Sequence, residues 1–69
     1  MDNFKVSLAA ARLNAGLSQK EAAEKLGITQ KCLQGWESGK HKFKKYEMIA
    51  ISIIYECPED HIFFGSTIR

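Results

Sequence analysis

Gln30, Lys31 and Gln34 stand in a short segment whose two large apolar residues, Leu33 and Trp36, are three apart and so share one side of a helix. With those two turned inward, Gln30, Lys31, Gln34 and Gly35 face outward. A glutamine offers a donor and an acceptor side by side and can meet a paired hydrogen-bonding edge, whereas a lysine places a cationic donor on an acceptor or an anion. Gln19 opens another helix just upstream, where free backbone amides and the positive dipole end attract anions. Lys40, His41 and Lys42 follow in a basic stretch from Gly39 to Lys45. These types suit recognition of a polyanion rather than bond-making. No Ser/His/Asp or Cys/His arrangement, paired carboxylates or phosphate-cradling loop accompanies them, so no catalytic residue is assigned and an enzyme is not expected.

Cys32 and Cys57 have no Cys-x-x-Cys partner and no histidine at zinc-ligand spacing, and they read as reduced packing thiols, with Cys32 tucked against the preceding helix; a Cys32 left partly exposed and oxidisable by its neighbours at the helix start is the alternative. His61 reads as a surface residue, and neither a metal nor any other cofactor is expected.

Charge distribution supports a polyanion more than total charge does. The formal net charge is only +2. Residues 1–46, however, hold nine Lys/Arg against four acids, and residues 47–69 hold one against four. One basic face for a polyanion and one acidic end turned elsewhere is the arrangement this implies. A solvated surface with chance asymmetry is the alternative. With 69 residues, 45% hydrophobic and 26% charged, the chain reads as one domain over 1–69. At this size about 60% of the unfolded surface is buried, so the core is thin and a large catalytic cleft is not expected. The longest apolar stretch, Met48–Tyr55, is broken by Ser52 and falls far short of the roughly 20 residues that span a bilayer. The early charges Asp2, Lys5 and Arg12 interrupt any secretory signal. No membrane partner and a cytoplasmic location are expected.

Helical period dominates the elements that must position these residues, and an all-α fold is predicted. After an Asn3 cap, Phe4, Leu8, Ala11 and Ala15 mark one face of a first helix that stops at Gly16. Ser18 and Glu21 form a capping box for a second helix bearing Ala22, Ala23 and Leu26, ended by Gly27. Ile28 plugs the turn, Thr29 caps a third helix running to about Ser38, and Gly39 stops it. The fourth helix covers about Lys44 to Glu56, with Met48, Ile51, Ser52 and Tyr55 toward the core. Pro58 fits the first turn of a short fifth helix ending at Gly65.

Residues 18–38 thus have the skeleton of a helix-turn-helix: a small residue, Ala23, at the helix crossing, Gly27 at the turn, and Ile28, Leu33 and Trp36 beneath. Through Gly16-Leu17-Ser18-Gln19, Ala22-Ala23, Leu26-Gly27-Ile28, Leu33, Trp36-Glu37 and Gly39-Lys40, the chain resembles the Cro and phage-repressor (XRE-type) family of helix-turn-helix transcription regulators, over about Phe4 to Phe64. The resemblance implies a compact five-helix, lambda-repressor-like DNA-binding domain. Its third helix would lie in the major groove. It places base contacts at Thr29, Gln30, Lys31, Gln34 and Gly35, and phosphate contacts at Gln19, Lys40, His41 and Lys42, with Gln19 also bracing the next glutamine as in similar regulators. On bases, glutamine matches adenine and lysine matches guanine or a phosphate. Plain exposed polar positions are the alternative for each. Gly35 departs from the pattern by removing a side chain from the groove face, and it leaves room for close backbone approach. Related domains join an arginine of the first helix to a glutamate ending the third, which implies a structural pair between Arg12 and Glu37.

The implied partners are a double-stranded DNA operator and a second copy of the chain. With the fourth helix apolar on more than one face, Tyr46, Ala50, Ile53, Ile62, Phe64 and Ile68 are expected at a dimer interface. The expected function is that of a transcriptional regulator of phage or mobile-element type. The alternative is an interaction module of the same fold that binds another regulator, as an antirepressor or antitoxin does.

Overall fold

Ser18 and Glu21 close on one another as their spacing predicts: the Ser18 hydroxyl accepts from the Glu21 amide at 3.0 Å, and Glu21 Oε1 accepts from the Ser18 amide at 2.9 Å. The Ser18 amide, and then its hydroxyl, hold the Glu21 carboxyl below its ordinary pKa. The computed structural model describes residues 5–64. Over that span the elements are β1 (Val6–Ser7), α1 (Leu8–Asn14), α2 (Gln19–Leu26), α3 (Gln30–Glu37), α4 (Lys45–Tyr55), a single 3₁₀ turn at Glu59–His61, and β2 (Ile62–Phe63).

Local signals set the middle of the chain. Gly27 adopts φ 74°, which an L side chain resists, and the Ile28 amide then reaches back to the Ala23 carbonyl at 3.0 Å. Thr29 caps α3 by accepting from the Cys32 amide at 3.0 Å. At α4, Glu47 Oε1 accepts from the Lys44 amide at 2.9 Å, and the helix ends at Glu56 in the left-handed region, φ 54°. The Cys57 amide closes that end on the Ser52 carbonyl at 3.0 Å.

Both ends of the described span depart from the all-α expectation. The first helix begins at Leu8, because Ser7 is its cap, accepting from the Ala10 amide at 3.0 Å. Ser7 is also paired with Phe63, and Val6 with Ile62, in a two-stranded parallel ribbon. A residue in extended pairing cannot continue a helix, so Lys5–Ser7 is not helical; Asn3 and Phe4 lie outside the described residues. The fifth helix reduces to the 3₁₀ turn, with Pro58 flanking it in extended conformation (φ −56°, ψ 141°) rather than in its first turn. The chain leaves that turn as a strand that drives Ile62 into the core. Gly65, the expected stop, lies outside the described residues.

Leu8, Ala11, Ala22, Ala23, Leu33, Trp36, Ile51, Tyr55 and Ile62 form the core, with Leu17, Leu26, Ile28, Phe43, Ile54 and Phe64 packed around it. Leu33, Ile51 and Ile62 are its largest fully buried side chains, each stabilising the fold by about 1.5–3 kcal/mol through burial. Ala22 and Ala23, 0% and 2% exposed, sit inside the core from α2 and leave room for close packing. Beyond α3 the chain is held by stacked rings: His41 lies on Trp36 at 4.8 Å, Phe43 meets both edge-on, and Phe64 closes on Phe43 at 5.0 Å.

Candidate nucleic-acid interface

Leu33 and Trp36 anchor α3, 0% and 8% exposed, and thereby fix which residues face outward. Thr29, Gln30, Lys31 and Gln34 are exposed. The Thr29 hydroxyl is occupied as an acceptor by its own cap but keeps its proton to donate. Gly35 is half-buried, and a Cβ built on it would meet nothing within 4 Å. Nothing among the described residues demands glycine there.

A polar network ties one flank of α3 to the rest of the domain. Arg12 Nε donates to Glu37 Oε2 at 2.7 Å and Nη1 to the Leu17 carbonyl at 3.0 Å, so this ion pair is bound into the backbone turn between α1 and α2. Arg12 is the buried charged residue of the described chain, 9% exposed, and Glu37 neutralises it. Gln19 extends the network, with Nε2 donating to Glu37 Oε1 at 3.0 Å and Oε1 accepting from Nε2 of Gln30 and of Gln34, each at a long 3.4 Å. Gln30, Gln34 and Glu37 recur at i, i+4 and i+7, one side of the helix, which is why all three reach the start of α2. Spacing alone could have shown that shared side. The double engagement of Gln19 could not be read that way, because it depends on how α2 crosses α3.

Below the pair, the Tyr55 hydroxyl is buried with no hydrogen-bond partner among the described residues. Burial, reinforced by the nearby Glu37 carboxylate and opposed by Arg12, pushes its pKa up to about 12.

The other flank is bare. Cys32 is exposed, not packed against α2 as expected. It lies on the side of α3 opposite Glu37 relative to the two anchors, where α2 does not cover it. Cys57 is half-buried against the core. Cys32, Gly35 and Trp36 border a shallow open depression together with Lys40 and His41, which brings the start of the basic loop alongside α3.

Lys40 and Lys42 are exposed. His41, of the expected phosphate set, has its ring stacked on Trp36 and its Nε2 at 2.9 Å from Glu47 Oε1, so that nitrogen is engaged at the start of α4. Burial raises the Glu47 pKa, but the Lys44 amide and His41 outweigh it and hold the carboxyl below its ordinary value. Lys45 is likewise engaged, both Glu59 oxygens lying 3.0 Å from its Nζ.

The apolar residues assigned to an interface separate into three groups. Tyr46 and Ile53 are 67% and 68% exposed and Ala50 is half-buried on the same side of α4, joined by Ile49 at 43%, which the sequence reading omitted. Ile62 is 1% exposed and belongs to the core, since in a strand it turns inward while Phe63 turns out at 56%. Phe64 is half-buried against Phe43, and Ile68 lies outside the described residues. His61 is exposed. Among the described residues no helix is long and apolar enough to cross a membrane.

A family model described as helix-turn-helix matches residues 8–62. Searches of curated proteins and of solved structures each give no match. The matched span runs from the first residue of α1 to the inward-facing strand residue Ile62 and contains the whole capped helix pair with its Arg12–Glu37 tie, and the chain belongs to the Cro/XRE-type helix-turn-helix family of DNA-binding regulators.

Proposed function

We propose that the chain is a sequence-specific transcriptional regulator that lays α3 in the DNA major groove, reading bases with Gln30, Lys31 and Gln34 and holding phosphates with Gln19, Lys40 and Lys42. The observation that carries this reading is the outward set on α3, polar and exposed while both apolar anchors are buried, in a helix-turn-helix chain. Gln19 has a double place in it, at the amide-rich start of α2 and bonded to the glutamines of α3. Thr29 and Gly35 complete the groove-facing surface, the first as a hydroxyl donor and the second as bare backbone. In this reading the regulator acts in the cytoplasm, without catalysis, and is of phage or mobile-element type.

It acts as a two-fold dimer whose interface is built on Tyr46, Ile49, Ala50 and Ile53 of α4, a stripe at helical spacing with an acidic end of the chain beside it. In a dimer of this kind two recognition helices sit roughly 34 Å apart and address half-sites one helical turn apart. The same exposed stripe favours a second reading, in which it binds another regulator and the chain works as an antirepressor or antitoxin. Selection from a random duplex pool tests both. Enrichment of a palindrome with strongly salt-dependent affinity supports the DNA-reading dimer; no enrichment, with a protein partner co-purifying instead, supports the second reading.

A further inference from the structure

We propose that Glu37 is a specificity-positioning residue: its carboxylate sets the donor–acceptor direction of the Gln19 amide, and through it the direction in which Gln30 and Gln34 present theirs. The inference rests on the base-reading role proposed for those two glutamines. A carboxylate paired with arginine can only accept hydrogen bonds. Gln19 must therefore turn Nε2 toward Glu37 Oε1, at 3.0 Å, and its carbonyl oxygen away, toward α3. That oxygen can only accept, so Gln30 and Gln34 must each bring Nε2 to it, both at 3.4 Å. Their own carbonyl oxygens are left on the opposite side, each beside one remaining N–H. Acceptor plus donor is the pair that adenine N6 and N7 require, whereas guanine O6 and N7 require two donors.

An isolated glutamine amide turns over freely and offers either order. Here a single charge, held by Arg12 Nε at 2.7 Å on its other oxygen, removes that freedom from three amides in succession. The cause is the sign of Glu37 and not its bulk. An uncharged amide at position 37 would turn its one oxygen to Arg12, which can only donate, and its NH2 to Gln19, so the direction would be reversed while the side chain kept its size. The last relay bonds, from Gln30 and Gln34 to Gln19, are neutral and long, so the bias is modest: about 3- to 10-fold in the choice between adenine and guanine, the range of one ordinary hydrogen bond.

The test compares wild type, Glu37→Gln and Gln19→Met, each scored by selection from a random duplex pool and by the side-chain amide resonances of Gln30 and Gln34 without DNA. Gln19→Met keeps the Arg12–Glu37 pair and so guards against Glu37→Gln failing to fold. The expected result is a 3- to 10-fold loss of adenine-over-guanine preference at the base pairs whose readout Gln30→Ala and Gln34→Ala also disturb. Other positions and the affinity for random duplex should keep their values in Glu37→Gln, and both glutamine amides should shift toward solvent-exposed values in the two variants. Unchanged preference at those base pairs in a folded Glu37→Gln protein, or an equal loss at every position, would overturn the proposal. Amides that shift as expected in a wild-type background showing no base preference at all would locate the failure in the DNA-reading role; amides that do not respond would locate it in the relay.

Discussion

α3 and α4 lie in the same core but spend their apolar residues differently. In α3 the two large ones, Leu33 and Trp36, are both buried, and what remains outside is polar, bare or the small Cys32 thiol. In α4, Ile51 and Tyr55 are buried at 0% and 2%, yet Tyr46, Ile49 and Ile53 stay 43% to 68% exposed. A helix that uses all its large apolar groups internally can offer a solvated, hydrogen-bonding surface to a polar ligand. One with a surplus offers a surface that gains from being covered. The first suits a duplex and the second suits a protein.

The sharpest way to break this comparison is to truncate one isoleucine on each side of α4. Ile51→Ala removes a fully buried side chain and should cost about 2–5 kcal/mol, read as a lowered midpoint in denaturant. Ile53→Ala, at 68% exposure, should stay within about 0.5 kcal/mol on the same measurement at low protein concentration. Ile53→Glu should leave helicity intact while shifting sedimentation toward monomer and weakening operator binding, since two half-sites no longer act together. If Ile53→Ala proves as costly as Ile51→Ala, the outer stripe belongs to the monomer's own core.

The inner side of α4 also predicts an alkaline transition. Tyr55 is nearly inaccessible, and its pKa rises from the ordinary 10.0 to about 12, so the unfolded chain releases this proton first. Its contribution is complete below pH 10 and is lost as pH climbs toward 12, a fall of about 2 kcal/mol. Chemical denaturation of Tyr55→Phe across that window should lack this component. It should also show no penalty at neutral pH, since the hydroxyl removed has no partner among the described residues.

On the polar side, Gln30→Ala or Gln34→Ala should cost about 1–3 kcal/mol on the selected site and relax discrimination at one base pair. Lys40→Ala should weaken every sequence alike and flatten the salt dependence by about one unit. Titration of affinity against salt separates the two. Equal salt slopes in wild type and Lys40→Ala would remove Lys40 from the phosphate set.

How far each region could be read in advance follows from how local its determinants are. The capping box at Ser18, the Thr29 cap and the Gly27 turn act within four or five residues of one another, so the helix pair and the outward set on α3 were legible. Ser7 carries equally good cap chemistry, but its extended conformation goes with pairing to Phe63, far along the chain, and no local pattern announces such a pairing. The same pairing decides Ile62: by residue type alone it counts with Phe64 and Ile68 as surplus apolar surface, whereas in the strand it turns inward. Cys32 departs from its expected packing for a related reason. Its position depends on which side of α3 is crossed by α2 and which is left to the Trp36, His41 and Phe43 rings.

Gly35 sharpens the comparison by the smallest step. It lies inside α3 without a positive φ, and the space where its Cβ would go is empty. Glycine in a helix interior costs about 1 kcal/mol relative to alanine, so Gly35→Ala should stabilise the free protein by about that much. In a domain this small the melting midpoint should rise by roughly 4–8 °C. If the bare backbone lets a duplex approach closely, the same methyl group stands between α3 and its ligand. Operator affinity should then fall while stability rises, a pairing of signs that a purely structural position cannot produce. Melting and titration of the one variant measure both. A Gly35→Ala protein that melts higher and binds as tightly as wild type would show that the glycine leaves room the ligand does not use, and that readout on α3 is confined to the flank of Gln30 and Gln34.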